Sequence, residues 1–227
     1  MPPRAVKVDK HPKPSRPVSS NQQGLHPRLA ETVARHLRHP CRRPVAPHSL
    51  AAYRVVADKL AADGRPLVLD SFCGTGQSTA LLAQRYPNHL VLGVDRSGHR
   101  LHKHAEVKAE NYLLLHASAE DIWQLLLRDA LTVDAHYVLY PNPWPKAKHL
   151  QRRVHGHPGF QWLLQLGGSV ELRSNWQLYV EEFGLAMHLA GRRGTVSRLD
   201  AAVPLTLFEL KYRNSGHKLW RYRYKAP

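Results

Sequence analysis

The chain has 227 residues, enough for one domain with a substantial core plus a tail. Its 33 Lys and Arg against 17 Asp and Glu give a formal charge of +16, while two cysteines, Cys41 and Cys73, are too few for a disulfide framework or a zinc site. No apolar run approaches membrane-spanning length and the N-terminus lacks the apolar stretch of a signal peptide, so a cytoplasmic protein with no membrane partner is expected. The charge is uneven: residues 1–48 carry ten Lys or Arg against two acids, 49–145 nine against ten, 146–191 five against three, and 192–227 nine against two. A neutral middle flanked by cations fits a polyanion held across a surface, and nucleic acid is the default reading.

Residues 1–24 combine Pro, Lys, Arg and Ser with little to bury, which predicts a disordered basic arm. The rest, 25–227, reads as one domain whose residues 25–64 form a helical extension: apolar positions 25, 29, 33 and 37 predict a helix over Leu25–Arg38, and Ala52, Val55, Val56 and Leu60 a second over 49–62, ended by Gly64. From Leu67 the pattern becomes α/β. Strands are expected at 67–70, 90–94, 113–115, 138–139 and 169–172, with helices to Arg85, over 97–110, 122–127, 160–166 and from 174 to about 189. Such alternation predicts a doubly wound, mostly parallel sheet. At the end, 206–212 and 219–224 around Asn214-Ser215-Gly216 read as an antiparallel hairpin, with Trp220, Tyr222 and Tyr224 turned to the core.

Asp70 precedes Ser71-Phe72-Cys73-Gly74-Thr75-Gly76, and Asp95 closes the second strand 25 residues later. An acid at that strand end is placed to accept both hydroxyls of a ribose, so a nucleoside-containing cofactor is expected. A dinucleotide site calls for G-x-G-x-x-G, but the third position here is Thr79. Asp70 would repel a pyrophosphate and suits a sulfonium with an amino acid ammonium. The stretch Tyr140 to Arg153 follows an apolar strand. Pro141, Pro143 and Pro145 force the backbone out of the sheet at the end where α/β ligands bind, which places Asn142 and Trp144 at a site mouth. Lys146, Lys148, Arg152 and Arg153 then supply cations for phosphates. Sixteen histidines include groups at 99, 102 and 104 and at 155 and 157, but no carboxylate stands at ligand spacing, so they are read as surface or RNA-facing groups and no metal is expected.

These motifs resemble the bacterial tRNA (guanine-N7)-methyltransferases over roughly Leu67–Tyr224. The family's Pro-Asp-Pro-Trp-x-Lys followed by Lys/Arg, His and an Arg pair is matched by Pro141-Asn142-Pro143-Trp144-Pro145-Lys146 with Lys148, His149, Arg152 and Arg153. Its Thr-x-Phe-Glu and later Gly-His are matched by Thr206-Leu207-Phe208-Glu209 and Gly216-His217. The resemblance implies a Rossmann-like class I methyltransferase with a seven-stranded sheet, S-adenosylmethionine as cofactor and tRNA as partner. It implies cofactor contacts at Asp70, Cys73, Gly74, Gly76, Asp95, Arg96, Ser118, Ala119 and Asn142, with Asn142 also the catalytic position. Substrate contacts fall at Trp144, Lys146, Lys148, Arg152, Arg153, Asn175, Thr206 and Glu209. Three acids of the family pattern are absent: Asn142 stands for the loop aspartate, Ser174-Asn175 for a Thr-Asp pair, and Ser118-Ala119 for an Asp-Ala. A divergent relative acting on another RNA or ring nitrogen, an adenine amine among them, and a non-catalytic RNA-binding paralogue are the alternatives. Monomer and homodimer both stay open.

Overall fold

The computed structural model describes residues 14–105, 109–200 and 203–227. Two helices, α1 (Leu29–Arg38) and α2 (Pro47–Asp63), precede the alternating part: β1 (Leu67–Ser71), α3 (Gln77–Arg85), β2 (Leu90–Asp95), α4 (Gly98–Leu101), β3 (Tyr112–His116), α5 (Ala119–Arg128) and β4 (Ala135–Leu139). Two 3₁₀ turns (Ala147–Arg152 and Val154–Gly156) then lead through α6 (Phe160–Gln165), β5 (Ser169–Ser174), α7 (Gln177–Leu189), β6 (Thr195–Arg198) and α8 (Leu207–Asn214) to β7 (Trp220–Tyr224).

The strands form one seven-stranded sheet in the order β3-β2-β1-β4-β5-β7-β6. The first five are parallel, and β7 pairs antiparallel with both β5 and β6. Alternation along each strand sorts side chains to two faces. Leu67, Leu69, Leu90, Leu92, Val138 and Leu172 join the larger core under α1, α2, α5, α6 and α7. Val68, Val91, Tyr137 and Leu139 face α3 in a smaller one. The order reverses between β1 and β4, and such a switch point opens a crevice beyond the strand ends.

Two expectations are corrected. The antiparallel partners of β7 are β5 and β6, and residues 206–212 are helical. Thr206 accepts a hydrogen bond from the Glu209 amide (2.9 Å), the first half of a T-x-x-E cap that starts α8. The helix expected over 97–110 stops at Leu101, where His104 turns inward onto the Thr75 carbonyl (2.9 Å) and the Tyr112 hydroxyl (2.8 Å); residues 106–108 lie outside the described residues. Residues 14–24 of the basic arm carry no helix or strand, yet they hydrogen-bond to the body from Ser15 to Gln22; residues 1–13 are outside the described residues. Among the described residues no helix is long and apolar enough to cross a membrane.

Candidate active site

The loop after β1 builds the floor. Phe72, Gly74 and Gly76 take positive φ values of 65°, 65° and 77°. Glycine adopts this region freely, whereas Phe72 is strained there. A Cβ at Gly74 would meet no protein atom within 4 Å, so the loop backbone is open to a ligand at that point. Gly74, Cys73, Thr75 and Ser78 line a cavity of about 240 Å³ with Thr206, Phe208 and Lys211. Beneath it Asp70 is fully buried. One of its oxygens takes hydrogen bonds from Ser78 (2.6 Å) and Thr79 (2.8 Å), and the other has no partner. Burial raises its pKa to about 6 against the pull of those two hydroxyls. Burial, with Asp70 and Asp95 nearby, also pushes the Cys73 thiol up, so it stays protonated and is no nucleophile.

Asp95 ends β2 almost fully buried and saturated with donors: the Gly74 amide (2.9 Å), the Ser97 amide (2.7 Å) and the half-exposed Arg100 guanidinium (2.9 Å). The two amides are fixed by the fold, which leaves Arg100 as the partner a ribose hydroxyl would displace. These features fit the nucleoside and ammonium of S-adenosylmethionine: a backbone cradle at Gly74, a carboxylate at a strand end, and a buried acceptor left unpaired.

A second cavity of about 340 Å³ adjoins the first, the two sharing Phe72, Arg100 and Phe208. Asp95, Arg96, Ala119, Asn142, Trp144, Arg152 and Asn175 all line it, so the structure brings together residues from four separate segments. Tyr140 and Trp144 also have positive φ, 52° and 46°. Among the described residues, three of the four non-glycine residues in that region thus border the cleft, the backbone strain that ligand sites commonly carry. The Asn142 side-chain oxygen accepts from the Trp144 amide (3.3 Å), and the Arg152 guanidinium lies 4.8 Å above the Trp144 ring. Phe208, Tyr212 and His217 form a ladder of near-parallel rings (6.0 Å at 23°, then 5.3 Å at 13°), and Tyr140 leans on Tyr212 at 5.7 Å. Asn175 contacts His217 at 3.1 Å.

Some expected site residues are elsewhere. Ser118 lies beside the cleft and donates to Glu120 (2.7 Å), an acid lining the cleft that the sequence pattern did not single out. Lys146 and Lys148 are exposed on the outer side of the loop, against Ser19, Ser20 and Asn21. Arg153 is fully buried and paired with Glu182 of α7. It also donates to the Trp144 carbonyl (3.2 Å) and to Gln22 (3.0 Å), so it is not free for a phosphate. His155, expected at the surface, is equally buried and meets Glu182 at 3.0 Å. Burial works against the Glu182 charge, but contacts from His155, Arg153 and the His26 amide hold its pKa at about 2. Glu209 is enclosed as well, paired with Arg173 (2.9 Å), which also grips Glu171. Thr206 spends its hydroxyl on the α8 cap.

Residues 64–222 match the family model described as "Putative methyltransferase". The chain belongs to this methyltransferase family. Among curated relatives it is 29% identical over 168 residues to a tRNA (guanine-N(7)-)-methyltransferase of Nitrosococcus oceani (70% of each chain). It is 28% identical to the enzyme of that name from Nitrosospira multiformis, over 68% of this chain and 72% of the relative. Among solved structures, that of the 16S rRNA methyltransferase KamB superposes with a TM-score of 0.56 at 18% identity, covering 82% of this chain and 96% of the other. The aminoglycoside resistance methyltransferase NpmB1 gives 0.51 at 17%, covering 77% and 93%. At such identities the likeness is one of fold, and it agrees with the parallel sheet and antiparallel end seen here.

Proposed function

We propose that this methyltransferase uses S-adenosylmethionine to methylate N7 of a guanine in tRNA, with the cleft beyond β1 and β4 as its active site. The observation that carries the reading is the convergence of Asp95, Asn142, Trp144 and Asn175 on one cavity beside the glycine loop. The names of its curated relatives supply the base and the RNA.

S-adenosylmethionine supplies an electrophilic methyl group on a sulfonium. Asp95 would accept from the ribose of this cofactor, with Gly74 of the glycine loop beside it, and Asp70 would supply the acceptor for its ammonium. Guanine N7 carries an in-plane lone pair and has no proton to lose, so the chain needs no general base at the reacting atom. Its task is to orient the base, and alignment of bound reactants alone is able to supply about 7 to 11 kcal/mol. The exposed ring of Phe208, with Tyr212 and His217 behind it, offers a stacking wall, and Trp144 with Arg152 closes the opposite lip. Asn142 and Asn175 present amides to the base edge. Methylation leaves a positive charge on the ring, and Glu120 at the cleft wall is the acid available to offset it. Lys146 and Lys148 on the outer face of the loop are placed for the RNA backbone.

One observation favours a second reading. Both cleft residues that are acids in the family pattern are amides here, and an asparagine amide pairs with an adenine edge as readily as it accepts from guanine. Mass spectrometry of nucleosides from tRNA incubated with the purified enzyme and cofactor distinguishes the two. The expected product is 7-methylguanosine. A methylated adenosine would move the assignment to the second reading, and no methylated nucleoside would overturn both.

A further inference from the structure

Gln22 touches both halves of a fully buried ion pair far from it in the chain. Its amide nitrogen donates to Glu182 (2.5 Å) and its amide oxygen accepts from Arg153 (3.0 Å), which the Glu182 carboxylate also binds. The His26 amide adds a further donor to Glu182 (2.9 Å). Arg153 in turn donates to the carbonyl of Trp144 and lies 4.9 Å from the Trp176 ring. Trp144 is the strained residue whose amide the Asn142 side chain accepts. A short chain of polar contacts thus runs from Gln22 through Arg153 and Trp144 to Asn142.

The same segment touches the loop twice more. Ser20 donates to the Pro145 carbonyl (2.6 Å), and Asn21 accepts from the Ala147 amide (3.3 Å). At its far end Ser15 bonds with Ser215 (2.8 Å) and, through its carbonyl, with His217 (2.9 Å), the residue that contacts Asn175. Residues 14–24 therefore reach the supports of both cleft asparagines without lining the cleft. Three prolines limit the loop's backbone freedom but remove amide donors, so few bonds within the loop are available to hold Trp144 at its unfavourable φ. Within the loop, Asn142 and Arg153 bond the Trp144 backbone, and contacts from outside hold Arg153 and the flanking residues in place.

We propose that residues 14–24 form a strap that fixes the Pro141–Arg153 loop for methyl transfer, with Gln22 as its main positioning residue. The proposal rests on the cleft being the methyl-transfer site. It assigns this part of the basic arm to loop geometry, not to RNA affinity. The test compares the full-length enzyme with Gln22→Ala, and with Ser20→Ala/Asn21→Ala, which cuts two loop contacts while leaving the buried pair covered. Steady-state transfer to tRNA, calorimetric binding of S-adenosylhomocysteine, thermal denaturation and amide hydrogen exchange are measured on each. A misplacement of about 1 Å costs on the order of 100-fold in rate. The expected result is therefore kcat lowered by about 10- to 100-fold in Gln22→Ala and less in the double variant. KM for tRNA and affinity for the cofactor product should stay within about twofold, and exchange at the Trp144 and Ala147 amides should quicken in both folded variants. A raised KM for tRNA with kcat unchanged would make the segment an RNA contact and overturn the strap. Unchanged exchange at those two amides in either folded variant would do the same. If the wild type transfers no methyl group to tRNA, the reading of the reaction fails, and the strap is still judged on the exchange data alone.

Discussion

Replacing Glu182 by Gln removes the negative charge that faces Arg153 while keeping the shape of the side chain. Both groups are fully buried, so the variant leaves a guanidinium in the interior with only amide and carbonyl partners. Breaking such a pair from one side costs about 3 to 5 kcal/mol. The depressed Glu182 pKa, about 2 against an ordinary 4.5, is held there against burial by His155 first and then by Arg153 and the His26 amide, so the carboxylate as a whole is held by about 3 kcal/mol and Arg153 supplies only part of it. Even so, the loss is a large part of the roughly 5 to 15 kcal/mol typical of a folded domain. Because the folded pKa is depressed, this contribution is complete above pH 4.5 and fades as the pH falls toward 2. Urea denaturation at pH 7 should therefore show Glu182→Gln destabilised by about 3 to 5 kcal/mol, and the gap to wild type should narrow between pH 4.5 and pH 2. Glu182→Gln/Arg153→Met, with no buried charge left, should recover part of the loss. A single variant within about 1 kcal/mol of wild type, or a gap that does not change over that acid range, would refute the assignment of this pair as the anchor of α7 to the loop.

Asp95→Ala should lower the affinity for S-adenosylmethionine by about 1 to 3 kcal/mol, because ribose hydroxyls lose their acceptor; calorimetry is the measurement, and unaltered binding would count against the pocket. Lys146→Ala/Lys148→Ala should weaken tRNA binding and reduce the slope of log affinity against log salt by about 2, with cofactor affinity unchanged. An unchanged slope in a filter-binding titration would take both lysines out of the RNA path.

The parallel half of the sheet was legible because buried parallel strands are short, continuous apolar runs bounded by glycine, proline or acids, and Leu67–Leu69 and Leu90–Val94 have that form. The end of the chain was harder to read. Thr206-Leu-Phe-Glu-Leu-Lys-Tyr alternates like a strand, but the local cap between Thr206 and the Glu209 amide wins, whereas Thr195–Arg198 is a short edge strand with one apolar residue and little pattern to detect. That Asp95, the glycine loop, Asn142 and Trp144 border one cleft was legible from strand-end position. The roles of Arg152 and Arg153 were not, since charge alone cannot tell two adjacent arginines apart when one lies over Trp144 and the other goes into the core. Glu182 and Gln22 meet across 160 positions, and no spacing rule reaches that far.

The missing acids and the surviving ones belong to a single electrostatic question. Asn142 and Asn175 remove two charges that the family pattern places in this cleft, and Glu120 and Asp95 remain on its wall. If the cleft still serves guanine N7, what has been lost is strength of hold on the base edge, because a carboxylate accepts from N1–H and N2–H together while an amide accepts only once. Asn142→Asp then restores a charge-assisted bond, about twice as strong as its neutral counterpart and worth on the order of 1 kcal/mol more. Its Oδ1 would still accept from the Trp144 amide, so the loop need not rearrange. Transfer to guanine should rise about fivefold in kcat/KM, with cofactor affinity little altered. A fall instead would mean that the amide donates to an acceptor on its base, as it does when it reads adenine, and that the two asparagines set a changed specificity in place of a weakened one.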